Sequence, residues 1–289
     1  MDFFIGNVLN PYQNLCSSII DIHTHAFPDK IAPKIIRALT QKYKVDNIYP
    51  CTLDGLLDII KKIRIRASVI QIYANSPNKV RYLNEWGSNI SNMNKGRIFC
   101  FGTIHPDMEN PDEELDRIVK SELKGIKFQP TAQHFSPDEG RMFKIYEKIS
   151  QLNLPILFHA GEERKPIDKV YAPPKSFVQV LSSFPKLVMI LAHLGGYKMW
   201  NQINKLVEFK NAYFDTAAVN SELKKDTLKD MIEYIGVNRI MFGSDFPWFD
   251  YNKEVNGILN LDLSKHEKAK ILYQNASKII GIKSNIGKI

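Results

Sequence analysis

Apolar residues are distributed along the chain in two ways. In short runs they are nearly continuous and rich in Val, Ile and Phe; in the stretches between, they recur every three or four residues. The short runs fall at 19–25, 67–73, 98–104, 124–130, 154–159, 187–193, 212–215 and 239–245. Near-continuity is what a strand buried on both faces shows, so these runs read as strands of a parallel sheet. The periodic stretches read as helices. Thr52 caps one whose stripe is Leu53, Leu56, Leu57, Ile60 and Ile63, and another covers 79–93. Asn110-Pro111-Asp112-Glu113 and Ser136-Pro137-Asp138-Glu139 each read as a proline-bearing capping box, the second opening a helix that carries Met142, Ile145, Tyr146 and Ile149. Further helices are predicted near 174–183, 198–208 and 223–235. Ser264-Lys265-His266-Glu267 opens the last, with Gly281 at its C-terminal cap. Pro28 and Pro33 read as breaks after the first strand.

Strand and helix alternating in this way predict a closed (β/α)8 TIM barrel, a single domain over 1–289 with 1–18 as a lead-in. The competing reading is a doubly wound open sheet, which would gather its site at one switch point. Polar, chemically capable residues instead end strands one, four, five, six and eight, which favours the barrel. At 289 residues the chain fits one such barrel, and 44% hydrophobic with 24% charged residues suits a large folded core.

Charge and cysteine usage narrow the partners. The apolar run 187–192 is far short of the roughly 20 residues that span a bilayer, and Met1-Asp2-Phe3-Phe4 lacks a basic leader, so no membrane partner is expected. Cys16, Cys51 and Cys100 are far apart and form no C-x-x-C pair, which points to a reducing, cytoplasmic compartment. The net charge of +8 is spread along the chain, and the one local basic run, 61–66, reads as the solvated end of a helix. With no basic and aromatic module, no nucleic-acid partner is expected, and a homodimer is the default assembly.

The chemistry lies at the strand ends. His23 and His25, two apart on a strand, present both imidazoles to one face, where two nitrogen donors can converge on a divalent metal. Lys127, His159, His193 and Asp245 end later strands, and His105, His134 and Asp215 fall just past strands three, four and seven. Phe246, Trp248 and Phe249 form an apolar wall beside Asp245 or pack the rim, and Gly195-Gly196 suits a close turn near the site. Asp21 shares the face of His23 one layer deeper, to steady a ligand histidine or to pair with a base such as Arg239.

Asp21-Ile22-His23-Thr24-His25-Ala26-Phe27-Pro28, the His159 and His193 strand ends, and Gly243-Ser244-Asp245-Phe246-Pro247 together resemble the amidohydrolase superfamily. Within it, the opening motif and the closing Asn275-Ala276 are most similar to the amidohydrolase-related branch that includes aminocarboxymuconate semialdehyde decarboxylase. The resemblance implies a barrel of the metal-dependent hydrolase type in which His23, His25, His159 and Asp245 hold one divalent metal. Zinc ranks first, and Mn2+, Fe2+ and Co2+ suit the same donors. It further implies that His193 polarises water and the substrate oxygen while Asp245 relays the proton. Lys127 is read first as an anion-binding group, second as a solvated lysine and third as a carboxylated metal bridge; His105, His134 and Trp248 complete the expected substrate contacts. Hydrolysis of an amide, lactone or related carbonyl of a small-molecule substrate is placed first, because His159-Ala160-Gly161 lacks the His-Pro step of several decarboxylases. The alternative is metal-dependent nonoxidative decarboxylation of a small unsaturated or aromatic carboxylic acid.

Overall fold

The computed structural model describes residues 17–43, 48–165 and 167–282. Cys16 and all but the last two residues of the expected lead-in lie outside them. Among the described residues, eight strands follow in sequence order: β1 (Ile20–Thr24), β2 (Ala67–Gln71), β3 (Ile98–Thr103), β4 (Ile126–Phe128), β5 (Ile156–Phe158), β6 (Met189–Leu191), β7 (Ala212–Asp215) and β8 (Ile240–Met241). Each pairs in parallel with the next. The last meets the first through Ile22 N–H donating to Phe242 O (2.9 Å), Asp245 N–H to His23 O (2.9 Å) and His25 N–H to Phe246 O (2.7 Å). This is the (β/α)8 barrel that the hydrophobic pattern predicts.

Alternation along each strand sorts its side chains between two layers. In β4, Phe128 meets Tyr146 of the helix Met142–Gln151 (centroids 6.2 Å apart) and stacks on Phe158 of β5 (5.2 Å). Lys127, between Ile126 and Phe128, points the other way, into the barrel, where its Nζ stands 3.4 Å from His23 Nε2. The interior therefore receives the strands' polar residues and the helices receive the large apolar ones.

Most helices lie where periodicity puts them: Leu53–Ile63, with Thr52 Oγ1 accepting from Gly55 N–H, then Val80–Met93, Pro111–Lys120, Met142–Gln151, Ser176–Ser183 and Lys225–Ile235. The box at Ser264 forms as expected, and Gly281 ends the last helix in the left-handed region (φ 68°). Four local expectations are corrected. Pro28 lies in the irregular stretch after β1 as expected, but Pro33 does not break the chain: it sits in the first turn of the helix Ala32–Tyr43, where no N–H is needed. Asn110 makes no side-chain cap, so the proline at the first helical position carries that start without it. Glu139 accepts from Ser136 N–H (2.7 Å), yet the helix begins only at Met142, so this box closes a turn. The stretch 198–208 holds only the short turns Trp200–Gln202 and Asn204–Val207. An unpredicted helix, Tyr251–Leu259, is capped by Asp250, whose carboxylate accepts from Lys253 N–H. No described helix is long and apolar enough to cross a membrane.

Candidate metal centre

The expected histidines His23, His25, His159 and His193 and the carboxylate Asp245 sit at the C-terminal ends of the strands, the face on which barrels of this kind build their sites. His23 lies in β1 and His25 just beyond it, after an irregularity in the pairing with β2 between Asp21 and Thr24. His159 follows β5, His193 stands two residues past β6, and Asp245 four past β8. His193 and Asp245 both adopt left-handed backbone (φ 58° and 56°), a conformation that tight loops impose on L-residues at functional sites. Gly243 lets β8 come this close, since a Cβ there would stand 2.9 Å from His23 Cβ. Gly195, at φ 84°, makes the turn after His193 as expected.

Each imidazole is anchored through one nitrogen. His23 Nδ1 faces Asp215 Oδ2 (2.8 Å), His25 Nδ1 faces Gln71 O (3.1 Å), His159 Nε2 faces Glu162 O (3.0 Å) and His193 Nδ1 faces Ala217 O (2.8 Å). An oxygen acceptor demands the N–H at that nitrogen, so each neutral ring carries its lone pair on the other one. Those lone pairs meet in the site: His23 Nε2 is 3.2 Å from His25 Nε2, and His159 Nδ1 is 3.1 Å from His193 Nε2. With neutral rings neither contact carries a hydrogen between its two nitrogens, an arrangement of donors that a cation can accept. Asp245 Oδ1 adds a carboxylate 3.6 Å from His23 Nε2 and 3.4 Å from His25 Nε2. Donors about 2.0–2.1 Å from one tetrahedral cation stand about 3.3 Å apart, which these three separations match.

Burial and charge favour the neutral forms of His23, His159 and His193. Desolvation, reinforced by Lys127, holds His23 well below the ordinary histidine range and pushes His159 down to about 4; burial and then His159 lower His193. Burial opposes ionisation of Asp245, yet its setting among His25, His23 and His193 holds the carboxyl below the usual carboxylate range. Lys127 is fully buried and lowered to about 8 by desolvation, against the pull of Asp215, Asp245 and Glu163.

The structure brings His23, His25 and Asp245 into one group whose donor atoms lie within 4.8 Å of one another. His159, expected as the fourth member, adjoins that group through His193. A cavity of about 520 Å³ opens over these residues, and His134 and Trp248 line it with them. Two expected contacts are not in its wall. Lys127 is a buried lysine whose Nζ reaches His23, which contradicts the solvated reading; His105 instead accepts from Asp107 N–H (3.2 Å). Asp21 Oδ1 accepts from the backbone N–H groups of His23 (3.0 Å) and Ser244 (3.1 Å) and thereby ties the strand that carries His23 to the segment before Asp245. Arg239 does not pair with it, because its guanidinium donates to the carbonyls of Val207, Phe209 and Ile235. Sequence reasoning missed Gln129, Glu163, Arg164 and Tyr197 in the cavity wall. All four lie in loops past strands, where no periodicity marks them.

A family model described as Amidohydrolase matches residues 20–282. The chain belongs to the amidohydrolase family. A curated relative of this amidohydrolase, the gamma-resorcylate decarboxylase of Polaromonas sp. strain JS666, is 22% identical over 180 residues, covering 49% of this chain and 55% of that one. The chain thus matches about half the length of that relative. Among solved structures, 5-carboxyvanillate decarboxylase LigW from Sphingomonas paucimobilis superposes with a TM-score of 0.69 at 16% identity, over 92% of this chain and 99% of that one. Dihydroxybenzoic acid decarboxylase from Polaromonas sp. JS666, with bound manganese and the inhibitor 2-nitroresorcinol, gives 0.67 at 16% over 91% and 97%. These structural likenesses establish the fold of this family member.

Proposed function

We propose that this amidohydrolase is a metal-dependent nonoxidative decarboxylase of a small carboxylic acid, with hydrolysis of an amide or lactone carbonyl as the second reading. The order differs from the one the His159-Ala160-Gly161 step suggests. The observation that carries it is that the curated relative and both neighbouring structures bear decarboxylase names. The lone-pair geometry supports the metal half of the reading independently.

His23, His25 and Asp245 would hold one divalent ion, and His159 would complete the set through Nδ1. An all-nitrogen and oxygen donor set without thiolate admits zinc or manganese. The ion would supply Lewis-acid polarisation and orientation of the substrate's oxygens. When a carboxylate leaves as carbon dioxide, the bonding pair stays on the substrate carbon, which takes up one proton. His193 Nε2 and the Asp245 carboxylate would hold that proton, a role supported by Ala217 O, which orients the His193 ring through Nδ1. Tyr73, Phe27, Trp248 and Phe249 line the cavity with apolar surface, which would limit water around the charge that develops.

Metal analysis of the purified protein beside His23→Ala and Asp245→Ala tests the site: one equivalent of transition metal is expected in the parent and much less in either variant. Metal-loaded protein is then assayed on hydroxylated benzoic acids, lactones and amides for carbon dioxide and for acid release. Hydrolysis without carbon dioxide would restore the order that the sequence suggests.

A further inference from the structure

The cavity is larger than a single-ring acid requires. About 150 Å³ is enough to bind benzene, whereas this cavity measures about 520 Å³. The surplus has a definite character. Ile31, Ile35, Ala38 and Leu39 line it, at the i, i+4, i+7 and i+8 spacing of one helical face. That face is only partly buried, with Ala38 exposed, so the helix offers an apolar stripe to ligand space. The stripe is continuous with the metal centre. His25 meets Tyr73 edge-on (6.0 Å), Tyr73 meets Phe27 (6.2 Å), and Phe27 packs with Ala32, Ile35 and Ile36. Cations complete the picture: Lys34 and Lys79 line the cavity on this side, and Arg164, its guanidinium over the Phe249 ring at 4.8 Å, lines it on the other.

We propose that the substrate is an amphiphilic carboxylic acid, whose head lies over the metal centre and whose apolar extension, larger than one ring, lies along Ile31, Ile35, Ala38 and Leu39. The choice of a carboxylic acid rests on the decarboxylase reading; the extension rests on the cavity alone. Burying each methylene against this face strengthens binding, at about 0.8 kcal/mol per fully buried CH2, so two carbons amount to about tenfold in Kd.

Calorimetric titration of the metal-loaded protein with salicylate and its 4-ethyl, 4-butyl and 4-hexyl homologues provides the test. Kd is expected to tighten several-fold to tenfold with each two carbons. Ala38→Trp, at an exposed position, should fill the pole: it abolishes the gain of the longer probes and leaves salicylate binding within twofold. Ile35→Asn should flatten the series in the same way. A Kd independent of chain length, or an Ala38→Trp loss equal for all four probes, overturns the assignment. Carbon dioxide release from the same probes separates the two readings. Chain-length-dependent binding without it supports the apolar pole while removing the decarboxylase reading, and release with a flat binding series does the reverse.

Discussion

Asp215 shows how one carboxylate sets the chemistry of its neighbours. Its Oδ1 accepts from the backbone N–H groups of His193 (2.8 Å) and Ala217 (3.0 Å), and its Oδ2 takes the Nδ1–H of His23. An asparagine cannot satisfy all three donors. Two of them converge on Oδ1, so the amide nitrogen of Asp215→Asn would turn to His23 and force its proton onto Nε2, the atom that must be a lone pair for metal binding. The expected outcome is a 10–100-fold loss of metal affinity, read by competition with a chromophoric chelator, with an unchanged circular dichroism spectrum. Undiminished affinity would show that His23 is not a ligand. The sequence exposes the His23 and His25 spacing because a strand repeats every two residues. It leaves Asp215 ambiguous because a carboxylate closing a strand looks the same whether it steadies a ligand or caps a turn.

At the scale of elements, the helix Tyr251–Leu259 fastens the segment after β8 to the segment after β7. Glu254 Oε2 accepts from Asn220 Nδ2 (3.0 Å) and Oε1 from the Ser221 hydroxyl (3.0 Å), while burial raises its pKa from the ordinary 4.5 to about 7 despite those bonds. The folded protein thus holds this proton more tightly than the unfolded chain. Its contribution to stability is full below about pH 4.5 and is lost as pH rises through 7, a span of about 3 kcal/mol at most. Urea unfolding of the parent and Glu254→Gln at pH 4.5, 6 and 8 should show the parent losing ground to the variant across that window. A difference that does not change with pH would place the Glu254 pKa at its ordinary value. Asp250 as a cap and the stripe Tyr251, Val255, Ile258 and Leu259 make this helix readable in principle, but Asn252, Asn256 and Gly257 dilute the pattern. Residues 198–208 fail in the opposite sense. Trp200, Ile203, Leu206 and Val207 have helical spacing, yet Trp200 Nε1 is drawn to His193 O (2.8 Å) and the chain folds around the site instead of continuing as a helix. Strands are legible because both faces are buried; the loops that complete the site answer to ligand shape, which leaves no periodic trace.

For the molecule as a whole, the proposed metal lies where the barrel closes. His23 and His25 come from its first strand and Asp245 from the segment after its last, more than two hundred residues later, and the backbone seam between them consists of the Ile22, His25 and Asp245 amides. An ion held by these three side chains would join the two ends of the sheet, much as a crosslink does, and through His159 it would also reach the end of β5. Metal at about 1,000 times its Kd stabilises the folded state by about 4 kcal/mol, which for a chain of this size raises Tm by roughly 8 °C. The location makes a sharper demand than the size. Chelation should speed hydrogen exchange at the Ile22, His25 and Asp245 amides, whereas Gly102 and Met189, bonded to Gly125 O and Asn211 O in strands that carry no proposed ligand, should follow only the smaller global change. A uniform change at both places would mean that the ion stabilises the fold without closing it. No change at the seam on chelation would remove the metal from β1 and β8 altogether.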